Sequence, residues 1–413
     1  MINSKQIALI AAQFQTPCWI YDAETVRQQI ARLRQFDVIR FAQKACSNTH
    51  LLRFMREQGV LVDSVSLGEI ERALVAGYQP GATERAPIVF TADLLDRPTI
   101  SRVTKLGIPV NCGSPHMLEQ LGAARSGHPV WLRINPGFGH GHSRKTNTGG
   151  EQSKHGIWHE QLADCLSIIQ KTGLKLIGLH MHIGSGVDYA HLQSVCEAML
   201  NQASRVRDFG MDFSAISVGG GLSIPYRDGD EEVDTAHYFQ IWDAARRQVE
   251  GVMGHAIDME IEPGRFLVAQ SGLLVSELRA QKQVGNNFFA LVDAGFNDLA
   301  RPAMYGSYHR ISAYAPDGSP REGGLKPTVV AGPLCESGDV FTQAEGGEVI
   351  SQDLPVCGIG DLMVFHDAGA YGASMSSNYN SRPLIPEVLV DGDQIKLIRR
   401  RQTVQELMAL EVI

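Results

Sequence analysis

Residues 38–65 read VIRFAQKACSNTHLLRFMREQGVLVDSV. The first five, Val38-Ile39-Arg40-Phe41-Ala42, make a short apolar run that ends at Gln43-Lys44. From Leu51 to Gln58 the apolar residues fall at helical spacing and stop at Gly59, after which Val60–Val65 is extended again. A helix follows over Gly68–Ala76, with Ile70, Ala73 and Leu74 on one face, closed by Gly77. Short buried runs alternating with amphipathic, helix-length segments are the mark of a parallel sheet covered by helices.

The alternation continues in both register and length. Strands are expected near Ile88–Thr91, Ile108–Asn111, Val130–Asn135, Leu176–His182, Ala215–Val218 and Asp258–Glu262, with helices over Gln161–Lys171, Leu192–Phe209 and Tyr238–Val249. Eight repeats between Val38 and Gly264 predict an α/β fold, a closed (β/α)8 barrel. Beyond Gly264 the helices stop: Phe288–Val292, Thr328–Ala331, Asp361–His366 and the pair Val388–Val390 and Ile395–Ile398 read as strands, the last two joined at Asp391-Gly392 as a tight hairpin. Pro17–Ile20 also reads as extended. The expected organisation is a segment 1–35 that contributes a strand to a β domain, a barrel over 36–270, and an all-β C-terminal domain over 271–413.

The composition suits an enzyme-sized globular chain. It has 413 residues, 44% hydrophobic and 20% charged, and a net charge of -8 that argues against a broad nucleic-acid or anionic-membrane surface. The apolar stretch Ile7–Ala12 is too short for a signal core, and no run approaches a membrane span. Seven scattered cysteines without a C-x-x-C fit free thiols in a reducing compartment, so a cytoplasmic protein is expected.

In a barrel of this kind chemistry gathers at the C-terminal strand ends. Those ends carry Lys44, Asp63, Asn111, Arg133, His182, the Gly219-Gly220-Gly221 run and Glu262-Pro263-Gly264-Arg265. A lone strand-end lysine can be a solvated charge, a phosphate ligand or an amine nucleophile. The apolar flanks Phe41-Ala42 and Ala45 favour the nucleophile, because desolvation disfavours a charged amine. A glycine run lets backbone N–H groups approach an anion. Amine, anion cradle and strand-end acid together describe a pyridoxal 5'-phosphate site. His180-x-His182 admits a rival metal reading, but later strands lack the further ligands such a site needs, so no metal is expected and His180 reads as a packed, hydrogen-bonded histidine.

Six segments, in order, carry a family resemblance: Phe41-Ala-Gln-Lys44-Ala, Asp63-Ser-Val-Ser-Leu-Gly-Glu69, His182-Ile-Gly-Ser185-Gly, Gly219-Gly-Gly221, Glu262-Pro-Gly-Arg265 and Cys335-Glu336-Ser-Gly-Asp339. Together they resemble the barrel-type, alanine-racemase-fold pyridoxal-phosphate decarboxylases, in particular the branch that acts on diaminopimelate, over essentially the whole chain. Ala45-Cys46-Ser47 and Gly186 depart from the commoner pattern. The resemblance implies that Lys44 holds the cofactor covalently and that Glu262 faces its pyridine nitrogen. A racemase on the same scaffold would instead place an arginine there. By the same resemblance His182 lies against the ring, while Ser185, Gly221, Gly264, Arg265 and Tyr371 hold or border the phosphate. Asp63 and Glu69 belong near Lys44, and Arg133 ties Glu262 or the cofactor in place. Cys335 is the implied proton donor, reaching the cofactor of a second subunit, hence a homodimer with shared active sites.

The substrate's far end is assigned to Arg301, Tyr305 and Glu336, with Arg265 and Tyr371 nearby. A guanidinium suits a distal carboxylate and Glu336 a distal ammonium. Both occur together in meso-diaminopimelate, whose D-centre reacts in the resembled branch to leave L-lysine. Relaxed decarboxylases of D-lysine, D-ornithine or carboxynorspermidine, and a non-catalytic regulator, are the alternatives. The polar, Gly-rich segment Gly137–Lys154 reads equally as a lid or as a solvated loop.

Overall fold

Every side chain of Val38–Ala42 is buried, as expected of a strand covered on both faces. The computed structural model describes residues 2–81, 85–139, 149–182, 184, 186 and 188–412. Eight strands follow one another: β1 (Val38–Ala42), β2 (Leu61–Ser64), β3 (Ile88–Ala92), β4 (Val110–Cys112), β5 (Pro129–Asn135), β6 (Lys175–His180), β7 (Ala215–Ser217) and β8 (Asp258–Ile261). Each pairs in parallel with the next. β8 returns to β1, with Glu260 opposite Val38 and Ile261 opposite Ile39, so the sheet closes into a barrel. Ile30–Ser223 and Glu232–Phe266 form this unit.

The connecting helices start at the strand C-termini, and side chains there hold the first turn. Asn48, Ser66, Asp96, Ser114, Asp188 and Asp234 each accept from a backbone N–H of the helix that follows, satisfying donors that would otherwise be orphaned. At the seam, Arg40 of β1 makes a buried bidentate pair with Glu260 of β8 (3.0 and 2.9 Å). Its remaining nitrogen donates to the Ala86 carbonyl at 2.7 Å.

Met1–Gln29, Ile224–Glu231 and Leu267–Ile413 form a second unit. Its main sheet runs in the order Gln352–Pro355, Leu325–Ala331, Asn287–Val292, Gly272–Val284, Cys18–Asp22, Glu387–Asp391, Gln394–Arg399. Leu362–Phe365 pairs with both Gly272–Val284 and Ile311–Tyr314. The strand Cys18–Asp22 is buried throughout; it runs antiparallel to Gly272–Val284 and parallel to Glu387–Asp391.

Several elements differ from the sequence expectation. β4 is shorter and later than Ile108–Asn111. The apolar stretch Ile7–Ala12 lies in a helix, Ser4–Phe14, opened by an Asn3/Gln6 capping box. Ile7 and Ile10 pack that helix on Ile20, Val275, Val364 and Val388, a burial worth about 2 kcal/mol per side chain. The second unit is therefore a β-sheet with a helix on it. In the last hairpin Asp391 stays in the strand opposite Gln394, leaving Gly392 (φ +60°) and Asp393 as the turn. The Asp391 carboxylate takes Arg27 at 2.9 and 2.6 Å.

Candidate active site

The ends of β1, β2, β4, β5, β6, β7 and β8 carry the barrel's candidate residues. Lys44 sits in a single 3-10 turn, Gln43–Ala45, directly after β1. Its neighbours Phe41, Ala42, Gln43, Ala45 and Cys46 are buried, whereas Lys44 itself is exposed. The apolar flanks thus anchor the turn and do not enclose the amine, which is a correction to the expectation drawn from them. Asp63, on β2 opposite Ala42, is buried with one carboxylate oxygen lacking a partner among the described residues. Glu69 turns back to accept the Val65 N–H at 2.8 Å. Asn111, buried on β4, donates to Thr91 at 3.4 Å.

Glu262 follows β8 and is buried. His180 Nε2 lies 2.9 Å from one oxygen and the Ser217 hydroxyl donates to the other at 2.8 Å. Burial alone would raise this carboxyl; His180 and Ser217 outweigh it, so Glu262 is held well below the usual carboxylate range. Asp63 goes the other way, pushed up by burial and then by the Glu262 charge. The pair therefore divides into one anion and one acid that keeps its proton more tightly. Burial, with Arg133 and Lys44 nearby, drives His182 well below its ordinary value, so its imidazole is neutral. Gly220 N–H donates to His182 Nδ1 at 3.2 Å, which leaves the ring proton on Nε2.

Arg133 lies buried on β5, and Asp93, Glu262 and Asp63 all act on it electrostatically. Among the described residues it makes no hydrogen bond to Glu262, whose oxygens His180 and Ser217 occupy. The expected tie between Arg133 and Glu262 is thus an attraction through space.

The glycine run is bare backbone by necessity. A Cβ on Gly219 would fall 2.6 Å from His182 Cβ, one on Gly220 2.6 Å from the Glu262 carbonyl, and one on Gly221 2.6 Å from the Gly184 carbonyl. Gly264 packs on Ala42 and Ala45, and Arg265 opens a short helix. Ser185 and residues 140–148 lie outside the described residues. Of the Gly137–Lys154 segment the stems are described: Asn135 accepts from the Gly137 and Gly150 N–H groups (3.1 and 2.9 Å).

The remaining candidates belong to the second unit. Arg301 begins the short helix Arg301–Tyr305 and is buried; Tyr305, at its end, is half-buried. Arg301 Nη1 reaches the Tyr226 hydroxyl at 3.3 Å and His309 Nε2 at 3.2 Å. His309 Nδ1 lies 2.9 Å from the His366 carbonyl; donation there leaves Nε2 as the acceptor for Arg301. The Cys335 thiol and Glu336 are exposed. Tyr371 is half-buried with φ +58°, a left-handed backbone uncommon for an aromatic residue. Sequence reasoning read His180 as a packed, hydrogen-bonded histidine, as it is, without giving it Glu262 as its partner, and missed Ser217, Tyr226 and His309. Only the His-x-His spacing hinted at His180, since alternate residues of a strand share a face.

The chain is similar to known proteins over its whole length. Residues 23–269 match the family described as pyridoxal-dependent decarboxylase, pyridoxal binding domain. A diaminopimelate decarboxylase of Streptomyces coelicolor is 66% identical over 100% of this chain and 92% of its own. A crystal structure of a diaminopimelate decarboxylase superposes with a TM-score of 0.95 at 63% identity, covering 98% of this chain and 96% of that one. The Helicobacter pylori diaminopimelate decarboxylase complexed with L-lysine superposes with a TM-score of 0.88 at 29% identity, covering 98% of each chain.

Proposed function

The chain belongs to the diaminopimelate decarboxylase family of pyridoxal-dependent enzymes, and we propose from this that it removes CO2 from meso-2,6-diaminopimelate at the D-centre to give L-lysine, the final step of lysine biosynthesis. The observation that carries the reading is Glu262, buried yet held as an anion between His180 and Ser217.

The barrel fits pyridoxal 5'-phosphate. Glycines that admit no Cβ leave room for a phosphate against backbone, Lys44 offers an exposed amine, and a neutral imidazole and a fixed anion stand nearby. When bound, the cofactor supplies an electron sink for the bonding pair that CO2 leaves behind. Lys44 would attach it, and Gly221, Gly264, Arg265, Ser185 and Tyr371 would hold or border its phosphate. Glu262 holds a proton at the pyridine nitrogen, which keeps the ring electron-poor. His182, neutral, would pack against the ring and keep water from that face. Asp63 and Arg133 set the field around Lys44 and Glu262.

At the substrate's far end Arg301 pairs with the distal carboxylate and Glu336 with the distal ammonium, flanked by Tyr305. The Cys335 thiol is the group placed to deliver a proton to the α-carbon once CO2 has gone, and solvent restores it. We place Cys335 and its neighbours at the cofactor of a second copy, so the working unit is a homodimer with shared sites, acting in the cytoplasm. Five buried free thiols fit a reducing compartment. Among the described residues no helix is long and apolar enough to cross a membrane.

The decisive experiment is CO2 release by the cofactor-loaded protein from meso-diaminopimelate, with D-lysine, L-ornithine and L-arginine in parallel. Turnover of diaminopimelate alone, yielding L-lysine, is expected. Preference for a basic amino acid would overturn the role given to Arg301, and no turnover at all would overturn the function.

A further inference from the structure

Three separate stretches of the second unit carry the candidate substrate residues: 293–301 leading to Arg301, the turn with Cys335 and Glu336, and the segment that runs on from Tyr371. They are cross-tied at one place. The Asn380 side-chain oxygen accepts the peptide N–H of Cys335 at 2.8 Å. One residue earlier, the Tyr379 hydroxyl lies 3.4 Å from Glu336 Oε2, and its ring stacks on Phe296 with centroids 5.3 Å apart. Phe296 N–H in turn donates to buried Asp339 at 2.7 Å, the same carboxylate that takes the Leu334 N–H at 2.7 Å. Ser377 N–H closes the circuit on the Asn297 carbonyl at 2.8 Å.

The backbone of this clamp is unusual. Asn380 has φ +53° and ψ +29°, and Ser381 follows at φ +54°. Two successive non-glycine residues in the left-handed region cost energy that the surroundings must supply. Asparagine bears that conformation better than most residues, and here its amide is aimed at a residue whose side chain the reaction uses. A turn needing only reversal would take glycine; the side chain is what glycine would forgo.

We propose that Asn380 and Tyr379 are positioning residues. Asn380 fixes the peptide that carries the Cys335 thiol, and Tyr379 orients the Glu336 carboxylate while locking both to the Arg301 stretch through Phe296. The proposal rests on the functional reading above, in which Cys335 is the proton donor and Glu336 meets the distal ammonium. Under it, thiol and carboxylate are held as one pair, the thiol for the α-carbon and the carboxylate for the distal ammonium. Displacing such a pair by an ångström is enough to cost about 100-fold in rate.

The test uses the cofactor-loaded full chain. Asn380→Gly keeps the left-handed backbone and removes the acceptor; Asn380→Asp keeps an acceptor oxygen at the same place. Amide hydrogen exchange of the peptide spanning Cys335 should speed at least about tenfold in Asn380→Gly and stay near wild type in Asn380→Asp. With diaminopimelate, Asn380→Gly should lose about 10–100-fold in kcat with KM within about twofold, and Asn380→Asp should recover most of it. Tyr379→Phe, which keeps the stack, should instead raise KM by about 3–10-fold with kcat nearly unchanged. An active wild type beside an Asn380→Gly variant of normal kcat overturns the positioning role, whether or not exchange has changed. A wild type that releases no CO2 overturns the functional reading and this role together.

Discussion

At the scale of single residues, the barrel end works by setting neighbouring carboxyls apart. Burial disfavours charge on both Asp63 and Glu262, yet only Glu262 has two hydrogen bonds, from His180 and Ser217, to offset it. Glu262→Gln leaves the shape intact and removes the charge. It should lower kcat for CO2 release by about 100–1000-fold, the usual cost of losing one group that stabilises developing charge, while the variant still binds pyridoxal phosphate. Retention of full kcat would show that the ring nitrogen needs no anion. Arg301 lies within hydrogen-bond reach of the Tyr226 hydroxyl and of His309 Nε2, and in the proposed reading it meets the distal carboxylate of the substrate. Arg301→Ala should raise KM for diaminopimelate by about 10–100-fold, the worth of a charge-assisted pair. Steady-state kinetics that show an unchanged KM would remove Arg301 from the substrate site.

At the scale of elements, the pattern of burial decides what the sequence reveals. Strands β1 to β8 stand out because their residues are almost continuously buried, as in Val38–Ala42 and Pro129–Asn135. Gly272–Val284 does not, since its first half is buried and its second half is solvated on both faces, a mixture with no single period. The helix Ser4–Phe14 hides for the opposite reason: Ile7–Ala12 is nearly all apolar, and a short apolar run fits strand or helix equally. Candidate residues at strand ends were legible from position alone. Tyr226 and His309 were not, because their relation to Arg301 is purely spatial. The β1–β8 seam offers a test at this scale. Arg40 and Glu260 are buried and bidentate, so Arg40→Met alone should cost about 3–5 kcal/mol by stranding Glu260. The double variant with Glu260→Leu should recover most of that, as read from urea midpoints. Equal losses in both would mean that the pair itself stabilises the seam.

At the scale of the whole molecule, the proposed sharing of sites between two copies makes a quantitative demand. On the proposed roles, a chain with Lys44→Ala lacks the attachment amine and one with Cys335→Ala lacks the proton donor. Unfolded together and refolded in equal amounts, half the dimers are mixed, and each mixed dimer holds one fully wild-type site if sites are composite. About a quarter of wild-type activity should return from two crippled parents; no return would confine each site to one chain. Acid should loosen the protein through its buried imidazoles. Burial lowers His128, just before β5, from 6.5 to about 4. A group depressed on folding gives stability that is full above its unfolded value and lost as pH falls. His128 should therefore cost about 3 kcal/mol between pH 6.5 and 4, at about 1.4 kcal/mol per pH unit. His128→Leu should flatten that part of the stability profile; an unaltered acid slope would assign it to other groups.

The N-terminal strand Cys18–Asp22 sits between Gly272–Val284 and Glu387–Asp391, and that placement orders events during synthesis. The strand is made before the barrel strands, yet both its neighbours are made after them. Until then its ladder groups have no sheet to join, while every partner of the barrel sheet has already emerged. A chain released after Phe266 would be able to close its barrel ring but would carry a strand that folding buries throughout, still without its partners. Such an edge is a template for self-association, so quality control in the cell would meet this protein first at that strand.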